Sequence, residues 1–156
     1  MGLAKLMQRF KGDVMHDAAP ARPHDPLRLA TAAVLLDIGY ADGTLTPDEN
    51  VDLVTYLNRA FNLGDDDARD LLNAAQEIRN RTIDHFAMTN YIRKNAALED
   101  RIDIVRTMWR MVYADRKLTD YENYLVRKLA DLLGLEHHVM IDTKVGVLRE
   151  LGLSTA

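Results

Sequence analysis

At 156 residues the chain suits one domain, long enough to bury ~70% of its unfolded surface without staples. It has no Cys, which excludes disulfides, thiolate zinc sites and cysteine nucleophiles, and its one Ser, Ser154, makes serine-hydrolase chemistry an unpromising expectation. Lys and Arg number 20 against 24 Asp and Glu, a net charge of −4, so no broad nucleic-acid surface is expected.

In chain order, Leu3, Leu6, Met7, Phe10 and Val14 recur at spacings of three and four, the pattern of an amphipathic helix over residues 3–15. Lys5, Arg9 and Lys11 decorate its other side. Two readings stand: a helix that docks on a membrane surface or a partner, or one that lies on its own domain. Pro20, Pro23 and Pro26 make the stretch before the next element a linker, which separates residues 1–24 from a helical domain over 25–152 and a tail over 153–156. No apolar run approaches the ~20 residues needed to span a bilayer, no secretory pattern is visible, and Leu6 sits where a myristoylation motif wants Ser or Thr. The expectation is a soluble cytoplasmic protein, peripheral at most to the inner membrane.

Asp25 and Pro26 open a helix that is apolar almost all round and therefore central. Thr46 opens the next, with Val51, Val54, Leu57 and Phe61 as its stripe and Gly64 as its stop. Asp65 caps a third, read through Leu71, Leu72, Ala75 and Ile78. A fourth spans about 84–95. The stretch 100–114 repeats the buried-helix role with Ile102, Val105, Met108, Trp109 and Val112 inward. Thr119 opens its partner, Leu125, Leu129, Leu132 and Leu133 face inward, and Gly134 ends it. A last helix runs from about His137 to Glu150. No strand pattern is present. The sum is an all-α, single-domain bundle of seven to eight helices.

The stretch "YADGTLTPDEN", from Tyr40, returns as "YADRKLTDYEN", from Tyr113. The identical pairs are Tyr40/Tyr113, Ala41/Ala114, Asp42/Asp115, Leu45/Leu118, Thr46/Thr119, Glu49/Glu122 and Asn50/Asn123. Average composition gives ~1 such match in a window this short. The apolar helix before and the amphipathic helix after recur too, so an internal pseudo-twofold duplication is expected. Asp37 and Arg110 are equivalent positions inside the two apolar helices. A twofold arrangement would join them as an acid–base pair; otherwise each points to solvent.

Thr46 to Glu49 and Thr119 to Glu122 each form the T-x-x-E capping box, which accounts for both glutamates without a ligand. Asp42 and Asp115 have no such account, for each follows a helix end whose dipole disfavours an acid by roughly 0.3–1 kcal/mol. A local turn, the next helix's amides, or a cation held with Asp42 and Glu49 would each compensate. The spacing is not that of an EF-hand, since counting from Asp42 puts Leu53 where Glu belongs. His138 and Asp142 lie one turn apart, close enough to share a site, but surface polar residues are the better reading there.

The doubled turn, with "LLDIGYADGTLTPDE" and "MWRMVYADRKLTDYENYLVRKLADLLGL", resembles the tellurite-resistance protein B (TerB-like) family over about residues 27–150. The resemblance implies a duplicated all-α core in a bacterial protein associated with tellurite resistance and stress response. Related domains occur in membrane-linked co-chaperones. It also implies a divalent metal, calcium or magnesium, bound by Asp42, Glu49, Asp115 and Glu122, and it favours the Asp37–Arg110 pair. The second copy departs from the family: Arg116 and Lys117 follow Asp115 where Gly follows Asp42, which favours the first site. A protein partner is expected, or a membrane surface through residues 3–15, and no nucleic acid. No nucleophile–base pair, phosphate-cradling loop or dense carboxylate set is visible, so no enzyme is expected. The alternative is a metal-independent interaction module, co-chaperone-like, whose turns are purely architectural.

Overall fold

Asp25 opens the first helix by accepting the Leu27 amide at 3.1 Å, and Pro26 occupies the first helical position, where its missing N–H costs nothing. The structure, a computed structural model, describes residues 25–41, 43–81, 85–114 and 118–153. The expected 3–15 helix, Asp42 and Asp115 therefore lie outside the described residues. Among the described residues seven helices follow in order: α1 (Pro26–Gly39), α2 (Pro47–Phe61), α3 (Asp65–Arg81), α4 (His85–Asn95), α5 (Leu98–Val112), α6 (Asp120–Leu132) and α7 (His137–Glu150). No strand occurs among the described residues. None of these helices is long and apolar enough to cross a membrane.

The apolar sequence of α1 has the expected consequence. Every residue from Leu29 to Gly39 is buried, and α2, α3, α4, α5 and α6 all pack around it. α5 is the second hub, set against α1, α2 and α7, with Val105, Met108, Trp109 and Val112 inward. The stripe predicted for α2 is rotated. Leu53, Tyr56 and Leu57 are its buried apolar residues, while Val51 is 61% exposed.

The helix ends show which punctuation is local. Gly134 ends α6 as expected, at φ +83°, a conformation that L side chains avoid. A Cβ there would also stand 2.8 Å from Arg101 Nη1. Gly64 does not end α2. Asn62 does, at φ +53°, with a side chain short enough to tolerate that region. Asp65 is the first residue of α3 rather than its cap. The Gly64 carbonyl accepts the Ala68 amide, and the Asp65 carboxylate accepts Asn58 Nδ2 at 2.8 Å.

Candidate functional site

The two repeated stretches fold alike wherever they are described. α1 ends on Tyr40 at φ −98°, ψ 10°, and α5 on Tyr113 at φ −96°, ψ 1°. The Tyr40 amide reaches Leu36 O at 2.9 Å and the Tyr113 amide reaches Trp109 O at 3.1 Å. In each case the following alanine amide then reaches back three residues, Ala41 to Ile38 O and Ala114 to Met111 O. In the first turn Gly43 takes φ +103°, open to glycine and strained for most other residues.

Both capping boxes form. Thr46 Oγ1 accepts the Glu49 amide at 3.2 Å, and Glu49 Oε1 accepts the Thr46 amide at 3.0 Å. Thr119 and Glu122 repeat this at 3.0 and 3.1 Å. The glutamates are nearly sealed, 4% and 5% exposed. A carboxylate is seldom this buried without partners, and here the cap amide and the helix N-terminus supply a favourable field. The second oxygen of Glu122 receives no hydrogen bond from a described residue. Hard carboxylate oxygens held in place are the donor type that suits calcium or magnesium. Among the described residues, however, no three acidic or imidazole side chains gather around one point. Glu49 and Glu122 therefore offer one oriented carboxylate at each turn, and the other two predicted ligands, Asp42 and Asp115, lie outside the described residues.

The expected pair between the two central helices does not form. Arg79 Nε donates to Asp37 Oδ1 at 2.6 Å, and the same guanidinium lies 4.9 Å over the Tyr40 ring. Arg110 instead makes a two-pronged bond to Glu150, Nε to Oε2 at 2.7 Å and Nη2 to Oε1 at 2.8 Å. Each central helix thus ties its charge to the end of the helix two elements on, α1 to α3 and α5 to α7, with the signs exchanged. Sequence reasoning missed Arg79 and Glu150, which lie 42 and 40 residues beyond their partners, outside the reach of any local pattern. His138 faces Glu136 at 3.4 Å on the surface rather than sharing a site with Asp142.

The family model described as "Tellurite resistance protein TerB" matches residues 28–145. The chain belongs to the TerB family. The match takes in both repeated turns, both hubs and most of α7, and it stops short of residues 1–24. This places the chain among proteins associated with tellurite resistance. No curated protein and no solved structure matches it. In this TerB chain the second turn lacks the glycine of the first in sequence, and Lys144 of α7 lies 5.0 Å over the Trp109 ring with its Nζ 3.2 Å from Asn123 Oδ1. Burial, then the nearby Arg127, lowers the Lys144 ammonium below its usual range.

Proposed function

We propose that this TerB-family chain is a stress-associated binding module, not an enzyme, that takes up a hard divalent cation, calcium or magnesium, at its repeated turns. Asp42 and Glu49 serve the first site and Asp115 and Glu122 the second. The observation that carries this reading is the pair of buried, cap-oriented carboxylates, Glu49 and Glu122, each following a turn whose sequence holds a further aspartate. The matching caps, the matching helix ends and the sign-exchanged ion pairs support reading the two units as a duplication of one helical hairpin with its following helix. The first site is the stronger, because in sequence Arg116 and Lys117 directly follow Asp115 where Gly43 follows Asp42.

Gln satisfies a capping box as Glu does, so Glu49→Gln keeps the fold and removes the charge. Calcium or magnesium titrated into the full chain is expected to shift the amide signals from Gly43 to Glu49, and Glu49→Gln is expected to abolish the shifts with little change in ion-free stability. Absence of shifts at millimolar ion removes the metal reading and leaves a metal-independent interaction module. That second reading has its own support in Tyr121 and Tyr124, one turn apart on α6 and each more than half exposed, a composition typical of protein interfaces.

A further inference from the structure

Among the described residues, Lys144 is a part-buried charge without a counter-charge. Its ammonium lies 5.0 Å over the Trp109 ring and donates to Asn123 Oδ1 at 3.2 Å, so α5, α6 and α7 meet around it. Burial, and then the like charge of Arg127, holds it below the usual lysine range. A lysine taken partly out of water ordinarily keeps a carboxylate beside it. None is at hand. One turn to either side on α7 stand Met140, Ile141, Val147 and Leu148, all apolar. Asp103 of α5 is held by Arg106, and Glu150 of α7 by Arg110. Glu122 of α6 is buried in its capping box.

The outer face of α6 continues this chemistry. Arg127 stands one turn beyond Asn123, and Lys128 lies 6.0 Å over the Tyr124 ring. Tyr121 and Tyr124 are both more than half exposed. Two exposed acids, Asp120 and Asp131, bracket the stretch, and neither pairs with Arg127, Lys128 or Lys144 among the described residues. From Tyr121 to Lys128, with Lys144 alongside, the face thus offers cations and tyrosine rings but no exposed carboxylate, in a chain whose net charge is −4. At 1.5 Å per residue the stretch is ~10 Å long, the reach of about three extended residues.

We propose that the outer face of α6, together with Lys144, docks a short acidic segment of a partner protein. One carboxylate enters between Lys144 and Arg127, and its neighbours lie on Tyr121 and Tyr124. That carboxylate gives the ammonium a charged partner in place of a neutral amide oxygen and offsets the repulsion between two cations. The exposed tyrosines favour a peptide over a bare anion, which would leave both rings uncovered. Asp120 and Asp131 repel acids beyond either end and so keep the segment short. Docking needs nothing from the repeated turns and stands whether or not they take up a cation.

Hexaglutamate is the probe, titrated into the isotopically labelled full chain at low salt with EDTA present, so that metal plays no part. The amides of Asn123 to Lys128 and of Lys144 are expected to shift. So is the indole N–H of Trp109, the chain's one tryptophan, which has no hydrogen-bond partner among the described residues. Lys144→Met keeps an aliphatic stem over Trp109 and is expected to weaken binding by about tenfold, as is Arg127→Gln on the exposed face, whereas Lys144→Arg retains it. Unchanged binding in both neutral variants overturns the proposal, as do shifts centred on another surface or no shifts at millimolar peptide. Equal weakening by Lys144→Arg and Lys144→Met marks a packing role and overturns it too. Equal shifts from inorganic phosphate overturn it in favour of a small-anion site.

Discussion

At the scale of single residues, charges near the core are held by partners of unequal quality. Asp37 is buried, and Arg79 meets it at 2.6 Å. Arg110 and Glu150 meet nearer solvent, where Glu150 is half exposed, and ion pairs of that kind contribute at most about 1 kcal/mol. The Arg110 hydrogen bond nevertheless holds the Glu150 carboxyl below its usual range. Its contribution is therefore complete above the ordinary Glu pKa of about 4.3 and fades as pH falls through the lower folded value. Asp52 behaves in the opposite sense. Burial raises its carboxyl despite Arg110, with Asp48 and Glu150 adding to the rise. The folded state thus carries an unfavourable carboxylate at neutral pH and is relieved of it on protonation. Asp52→Asn is expected to raise the urea midpoint at pH 7 and to leave it unchanged below about pH 3, under the ordinary Asp pKa of ~3.9. A lowered midpoint at pH 7 would show that Arg110 outweighs burial.

At the scale of elements, the capping boxes set where α2 and α6 begin. Thr46→Ala and Thr119→Ala remove the hydroxyl that accepts the third helical amide, and each is expected to lower unfolding free energy by about 1 kcal/mol in denaturant titrations. Similar losses at both sites would mark equivalent roles; a loss at one alone would separate the two turns energetically. These starts were legible in the sequence because a cap acts across three residues and needs nothing from the rest of the fold. The stop at Gly134 was legible for the same reason, since glycine past a helix end favours positive φ. The stop at Asn62 was not. Asn and Gly compete for that role, and the nearer residue took it before the chain reached Gly64. The buried face of α2 was misread because Val51, Leu53, Val54, Tyr56, Leu57 and Phe61 together cover more than one side of the helix. No periodicity chooses between such sides.

At the scale of the whole molecule, Arg101 joins distant parts of the chain. Its Nε donates to Ala96 O at 3.2 Å and its Nη1 to Leu133 O at 2.9 Å. One guanidinium thus fastens the α4–α5 connection to the end of α6, against the glycine that leaves room for it. A lysine has neither the fork nor the fixed spacing to serve both carbonyls. Arg101→Lys is expected to cost roughly 1–3 kcal/mol, read from the shift in denaturant midpoint, because two carbonyls in part-buried hydrogen bonds lose their donor. A neutral outcome would mean that water replaces it at both.

The candidate site divides along the same line. Glu49 and Glu122 could be named from sequence because their capping role is local, and the turn residues because they recur at a fixed offset. The partners of Asp37 and Arg110 could not be named from local pattern, nor could the meeting of Lys144 with Trp109 and Asn123. The amino-acid order by itself settled the all-α class, the central position of α1 and α5, and the places where α2 and α6 begin, since these follow from composition and from bonds spanning three or four residues. Only the tertiary structure decided which charges pair, which side of α2 turns inward and which aromatic rings line an open surface. Those outcomes depend on helices brought together from 30 or more residues apart, as Arg101 is to Leu133 and Asp37 to Arg79.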